Sequence, residues 1–264
     1  MSAQPSEVQY ADWGDWDPAA YNKEYYSEVT LDGRYLMEWV IESVQAAPPV
    51  DVALEFGSGP TVLHLFPLVA KAREIHVAEY LADNRKEVER WIAHEPGTHD
   101  WRPFTLEFLR MEGNVNPTDE QAQSREDEVR RRITRVLHGD AGITDPLGPD
   151  MRGYYPLVTS LCCADSATND KGTWRLFMRN IASLVKPGGM LVLSACGEHS
   201  FYCVGERCFP GANISGQDML ASLTELGFRD IDIRMREVPD SSEHGFGCTI
   251  LARAIKLQTA APSP

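Results

Sequence analysis

Short apolar runs alternate along this chain with longer stretches in which apolar residues recur every three or four positions. The runs Val50–Phe56, 74–80, 133–137, 154–161, 190–195, 231–238 and 249–254 read as seven strands, the last two as an antiparallel pair. Helical spacing fits residues 33–46, 61–71, 84–93, 118–132, 173–184 and 218–226. Ala47-Pro48-Pro49 closes the first of these helices, Lys186-Pro187-Gly188-Gly189 the fifth and Gly227 the last. Strands alternating with helices specify an α/β fold built on a largely parallel, doubly wound sheet. No internal repeat is visible.

The first strand runs directly into Gly57-Ser58-Gly59-Pro60-Thr61. Two glycines let the backbone turn sharply and approach a ligand closely, and Pro60 suits the first turn of a helix. The second strand closes on Glu79-Tyr80, roughly 20 residues on, where a carboxylate can accept both hydroxyls of a ribose. The dinucleotide fingerprint requires a third glycine, and Val62 stands at that place. The loop therefore fits the adenosine end of S-adenosylmethionine better than a pyrophosphate. The third strand leads to His138-Gly139-Asp140-Ala141, where Asp140 is either an adenine ligand or a turn residue. The carboxyl end of the fourth strand, residues 160–165, faces the crevice in which open α/β sheets bind ligands. His64 falls on the helix at 61–71 and is assigned no chemical role.

With 264 residues, 43% apolar and 24% charged, the chain can bury one large core, so a single domain is expected. Residues 1–48 form an N-terminal lid and helix, 49–256 the core with a helical insert near 99–132, and 257–264 a frayed tail. The insert is dense in charge from Asp119 to Arg132 and reads as a solvated helix. A net charge of −14 argues against nucleic acid as a partner. The first residues have neither the basic region nor the apolar core of a signal peptide, and no run is long enough to span a bilayer. Six cysteines without a Cys-x-x-Cys pair read as buried free thiols in a reducing cytoplasm, with no metal site.

Residues 1–28 interleave Tyr10, Trp13, Trp16, Tyr21, Tyr25 and Tyr26 with acidic residues. That is too aromatic for a disordered tail. It reads as a flap whose ring faces cover a sulfonium, each such contact being worth roughly 0.5–2 kcal/mol. A helix packed on the sheet is the plainer alternative.

These motifs together resemble the nicotinamide, phenylethanolamine and indolethylamine N-methyltransferases over nearly the whole chain. The likeness is carried by Asp17-Pro18 with Tyr21 and Tyr25-Tyr26, by the Gly57–Thr61 loop and by Glu79-Tyr80 with Asn84. It continues through Trp91, Glu95-Pro96-Gly97, Asp100-Trp101, Met111-Glu112-Gly113-Asn114 and Asp145-Pro146-Leu147-Gly148. Lys186-Pro187-Gly188-Gly189, Ser200-Phe201-Tyr202 and Gly205-Glu206 complete it. The resemblance implies a Rossmann-like, seven-stranded class I methyltransferase sheet with helices on both faces and an N-terminal aromatic lid. It also implies S-adenosyl-L-methionine as cofactor, S-adenosyl-L-homocysteine as product, a small-molecule acceptor and a monomer.

For the cofactor the resemblance points to Tyr21, Tyr26, Gly57, Ser58, Gly59 and Leu63. Glu79 and Tyr80 would follow at the ribose, then Asn84, with Asp140 and Ala141 at the adenine and Leu161 at the methionine end. For the acceptor it points to Tyr25, Cys162, Asp165, Ala195, Tyr202, Gly211 and Glu243. Three departures stand out. The family usually has Asp at Glu79 and Tyr at Leu63. The nicotinamide enzymes carry Asp at Ala195 and Ser at Gly211, which argues against nicotinamide itself. The phenylethanolamine enzymes place acids at Glu198 and His199, of which one survives.

Methyl transfer from a sulfonium is an in-line displacement, and alignment alone can supply roughly 7–11 kcal/mol. A pyridine-like nitrogen needs no base. An alkylammonium must first lose its proton, and Glu198 or His199 is the candidate to take it, with Glu243 and His244 as secondary candidates for orienting an amine. The expected activity is methylation of a small amine or N-heteroaromatic compound. The alternatives are an O- or S-methyltransferase, a catalytically silent cofactor-binding protein and, more distantly, a dehydrogenase.

Overall fold

The computed structural model describes residue 8 and residues 10–198, 200–237 and 247–258. Seven strands form one sheet: β1 (Val50–Phe56), β2 (Ala72–Glu79), β3 (Ile133–His138), β4 (Tyr155–Leu161), β5 (Val185–Gly197), β8 (Phe228–Glu237) and β9 (Cys248–Lys256). Their order is β3-β2-β1-β4-β5-β9-β8. The first five are parallel, and β9 runs antiparallel to both β5 and β8. The chain steps from β1 to β2 on one side and returns to β4 on the other. Their carboxyl ends therefore part beside β1, which opens the crevice this topology uses for ligands.

Side chains alternate between the two faces along each strand, and two cores result. Ala53, Val192 and Leu251 face one core, with α2 (Leu31–Ala46), α3 (Ala82–Ile92), α4 (Arg102–Met111) and α5 (Asp119–Arg132) packed on it. Their neighbours Leu54, Leu191 and Ala252 face the other, which is covered by α6 (Lys171–Leu184) and α7 (Gly216–Glu225). The seven-stranded sheet with helices on both faces is the class I methyltransferase architecture expected from the sequence.

Four local expectations are corrected. Residues 61–71 are not one helix but two 3-10 turns, Leu63–Leu65 and Leu68–Ala70. Pro67 between them has no N–H to bond back to Leu63, and the turns close instead through Phe66 N–H to Leu63 O at 3.2 Å and Ala70 N–H to Pro67 O at 3.1 Å. The Lys186–Gly189 turn does not end α6. The helix stops at Leu184 on an extended Val185, and the four residues bulge from β5 between the pairs Tyr155↔Val185 and Leu157↔Met190.

The charged helix α5 is not simply solvated. Its capping box at Thr118 and Gln121 fixes the start, and its arginines then dock it. The Arg130 guanidinium lies 3.8 Å from the Trp91 ring centre, Arg125 forks onto Glu112, and Arg132 donates to Val69 O at 2.7 Å. Finally, the six cysteines are not all free: the chain after β5 folds into a hairpin of β6 (Phe201–Val204) and β7 (Arg207–Pro210). Pairing across the Gly205-Glu206 turn sets Cys203 opposite Cys208, and the two form a disulfide. Only Cys162, Cys163, Cys196 and Cys248 are free thiols.

Candidate active site

A cavity of about 280 Å³ lies over the carboxyl ends of β1, β2, β4 and β5. Its floor is the turn after β1. Gly57 has φ +76°, and a Cβ there would sit 2.1 Å from Cys163 Sγ, so neither the conformation nor the space admits a side chain. Its N–H donates to Ala78 O at 2.7 Å, tying the turn to β2. Gly59, at φ +60°, faces open space. This is a bare stretch of backbone shaped for a ligand to lie against.

Glu79 closes the turn from the side. One of its oxygens accepts the Gly59 N–H at 2.9 Å; the other accepts the Leu81 N–H at 2.8 Å and the Asn84 amide at 3.2 Å. The residue is 7% exposed. Burial pushes its carboxyl above the usual carboxylate range, and these hydrogen bonds pull it back in part. Asn84 carries a second bond: its oxygen accepts the Trp16 indole N–H at 2.7 Å, which fastens the N-terminal segment to the glycine end.

The roof is that N-terminal segment. Asp17 caps α1 (Pro18–Tyr25) by accepting the Ala19 and Ala20 N–H groups, and Pro18 occupies the first turn. The helix aims Tyr21 and Tyr25 into the cavity, and Tyr26 follows it. Ring packing runs from Trp16 to Tyr21, from Tyr21 to Tyr25 and Tyr26, and from Tyr26 to Trp101. Burial holds the Tyr21 and Tyr26 hydroxyls protonated far above neutrality, so they serve as donors and acceptors, not as bases. Tyr10 stacks on Tyr80 at 5.3 Å and bonds to Asp140, so Asp140 is engaged by the roof and does not line the cavity; Gly139 and Ala141 beside it do.

The far wall is the β6–β7 hairpin with the end of β4. Tyr25 donates to Cys203 O at 2.7 Å, Tyr202 donates to Ser166 O at 3.4 Å, and Phe209 packs on Trp13 and Trp16. Cys162, with φ +48°, takes Ser194 as partner to both its N–H and its thiol. Cys196 lies beside it, and its thiol is pushed up by that contact and by burial.

Of the expected cofactor residues, Tyr21, Tyr26, Gly57, Ser58, Gly59, Leu63, Glu79, Tyr80, Asn84, Ala141 and Leu161 line this one cavity. Of the expected acceptor residues, Tyr25, Cys162 and Tyr202 line it. Ala195 is turned into the α6–α7 core, because strand alternation gives the cavity to Cys196 instead. Asp165 is 1% exposed and accepts the Cys196 N–H at 2.9 Å, which makes it a brace of the wall. Gly211 donates its N–H to Ser200 O outside the cavity. Glu198, at φ +56°, does not line the cavity, and its carboxylate lies against Gly247. His199, Glu243 and His244 lie outside the described residues.

Several lining residues carried no signal in the sequence. Met37 and Leu36 come from α2, and Phe177 and Thr249 from elements distant in the chain. Only folding brings them together. Cys196 was within reach of sequence reasoning, since Ala195 and Cys196 occupy opposite faces of one strand. Among the described residues, no group of three or more His, Cys, Asp or Glu is placed to hold a metal ion.

The NNMT/PNMT/TEMT family model matches residues 8–246. A nicotinamide N-methyltransferase of Sus scrofa is 33% identical over 179 residues, covering 67% of this chain and 66% of that protein. A phenylethanolamine N-methyltransferase of Homo sapiens is 28% identical over 194 residues, covering 73% of this chain and 67% of that protein. Such alignments thus span about two thirds of these relatives. In fold, the chain is similar to the N-methyltransferase NodS of Bradyrhizobium japonicum WM9, solved with S-adenosyl-l-homocysteine. That likeness has a TM-score of 0.51 at 14% identity, with 91% of this chain and 99% of that one covered. From the glycine turn to the tyrosine roof, this chain belongs to the NNMT/PNMT/TEMT family.

Proposed function

We propose that the protein is an S-adenosylmethionine-dependent methyltransferase that moves a methyl group to a nitrogen of a small amine or N-heteroaromatic acceptor. One observation carries the reading: a single cavity joins a side-chain-free turn and a buried carboxylate at one end to a tyrosine-lined wall at the other. The first end has what an adenosyl group requires. Glu79 would accept from the ribose hydroxyls, the backbone at Gly57–Gly59 would lie along the chain of the donor, and Gly139 and Ala141 would border the adenine. Nothing in this lining conflicts with the cofactor, and Gly59, which faces open space, leaves the approach clear.

When bound, the cofactor supplies an electrophilic methyl on a sulfonium. The residues of this chain align and enclose it. Tyr21, Tyr25 and Tyr26 would present ring faces and hydroxyls to the positive centre, and the roof, pinned by Trp16 to Asn84, would exclude water. Tyr202 and Cys162 would hold the acceptor in line. Glu24 and Asp32 also line the cavity and could meet an acceptor that arrives as an ammonium, so both unprotonated N-heteroaromatic and amine acceptors suit the reading. A monomeric, cytoplasmic enzyme completes the reading. Four free cysteines support that compartment and the Cys203–Cys208 bond weighs against it.

Incubation with methyl-labelled cofactor and a panel of pyridines, arylalkylamines, phenols and thiols tests this directly. Labelled N-methyl product is expected. Labelling of only the phenols or thiols would replace nitrogen as the acceptor atom, and calorimetric cofactor binding without any turnover would make the protein a silent binding module.

A further inference from the structure

Three buried polar atoms stand without a hydrogen bond among the described residues beneath the glycine turn: Glu55 Oε1 and both ring nitrogens of His64. Glu55 is 1% exposed and His64 6%. Glu55 precedes Phe56 at the end of β1 and pairs across the sheet with Thr159 on β4, whose hydroxyl donates to its Oε2. Its Oε1 faces His64 Nδ1 at 3.4 Å. The 3-10 turn at Leu63–Leu65, standing where a regular helix was expected, is what swings His64 back over β1.

Buried polar groups are normally paired, and three unpaired atoms in one spot call for a ligand or an explanation. His64 lines the cavity. Among the described lining residues there is no Lys and no Arg, while Glu24, Asp32 and Glu79 are acidic. Among the described lining residues, His64 is therefore the one whose side chain can present positive charge. It also sits apart from the nucleoside end. Glu79 ends β2, whereas His64 rests on a carboxylate held from β4, on the opposite side of β1.

We propose that His64, oriented by Glu55, binds the carboxylate of the amino-acid end of the methyl donor; this rests on the cofactor reading above. Glu55, facing Nδ1 at 3.4 Å, would leave the buried Nε2 as the atom for the ligand to reach. The incoming carboxylate then completes a row of carboxylate, imidazole ring and carboxylate that leaves none of the three atoms unpaired. Glu55 is the positioning residue of the pair and His64 the binding residue.

The test compares S-adenosylhomocysteine with its decarboxylated analogue, which keeps the amine, by calorimetry on the full chain. In His64→Ala, affinity for the first should fall about tenfold, with the second changed less than about twofold. Equal weakening of both ligands, or of neither, overturns the inference. Because a buried substitution can unfold the protein, the same comparison is made on the wild type by following the nitrogen-15 resonances of His64. Nε2 should shift on adding S-adenosylhomocysteine and not on adding the analogue; matching responses to both overturn the assignment. Failure of the wild type to bind S-adenosylhomocysteine at all would bring down the function as well, which separates the two failures.

Discussion

The two ends of the cavity are built differently. The glycine end is assembled from residues close in sequence: β1, its turn and the end of β2, locked by backbone hydrogen bonds at Gly57, Gly59 and Leu81. The tyrosine end is assembled from α1, the β6–β7 hairpin and the end of β4, which lie far apart in the chain. They meet through ring packing and a few side-chain bonds such as Tyr25 to Cys203. A rigid local end and an assembled distant end predict unequal responses to mutation. Damage at the first should abolish cofactor binding. Damage on the hairpin and β4 side of the second should alter acceptor handling more than cofactor binding.

The largest effect is expected at Gly57. Gly57→Ala places a Cβ against Cys163 Sγ and forces a left-handed conformation on a side chain, which costs roughly 1–2 kcal/mol before the clash is counted. Affinity for S-adenosylhomocysteine should fall about a hundredfold or more. Adding Cys163→Ala should recover only the part due to the clash. Full recovery, measured by calorimetry, would show that the turn is set by packing and not by backbone conformation.

Glu79 comes next, and it separates binding from stability. Burial raises its carboxyl, so the folded chain takes up a proton at higher pH than the unfolded one. Stability tied to this group is thus greatest in acid and is lost as pH rises through the raised value. Cofactor affinity should run the other way, since a protonated carboxyl accepts poorly from a diol. Glu79→Gln should weaken S-adenosylhomocysteine about tenfold while leaving the thermal midpoint of the free protein at neutral pH unchanged or higher. A lowered midpoint would mean that the bonds from Gly59 and Leu81, not burial, decide the energy of this residue.

What the sequence revealed follows the same division. The strand at Val50–Phe56, the Gly57–Thr61 turn and Glu79 were legible because contiguous residues carry their own geometry. The helix expected at 61–71 was misread because Pro67 breaks a pattern that apolar spacing alone supports. The Cys203–Cys208 bond was missed because it depends on a hairpin of two four-residue strands that sets the two cysteines opposite each other, and six cysteines without a Cys-x-x-Cys pair read as free thiols. Ala195 was assigned to the acceptor by likeness, whereas the two-residue period of β5 gives that place to Cys196. Glu198 is a different case: it does not line the cavity, and nothing in a sequence says which side of a strand end a carboxylate will take.

At the assembled end, the disulfide is the next test. Its small ring confines the unfolded chain, and loss of the bond should lower stability by about 2 kcal/mol if the chain-entropy account holds. Cys203→Ser with Cys208→Ser should raise the acceptor KM several-fold, because Cys203 O anchors Tyr25 and Phe209 packs under Trp13 and Trp16. Cofactor affinity should change less. A larger loss in cofactor affinity than in acceptor KM would erase the distinction between the two ends, since the roof would then depend on the hairpin throughout.

Tyr202→Phe should give the smallest change and the cleanest reading. The substitution keeps the ring, and with it the 5.5 Å contact to Phe209, and removes only the hydroxyl. Its bond to Ser166 O is long, at 3.4 Å, so that bond contributes little to the fold. An effect that leaves the thermal midpoint unchanged then reports what the hydroxyl does for the acceptor. A net hydrogen bond of about 0.5–1.5 kcal/mol predicts a two- to tenfold rise in acceptor KM with turnover at saturation nearly intact, since ground state and transition state would lose the same contact. A fall in turnover without a change in KM would instead assign the hydroxyl to the reacting geometry. In that case the wall facing the glycine turn aligns the nucleophile as tightly as the turn aligns the donor.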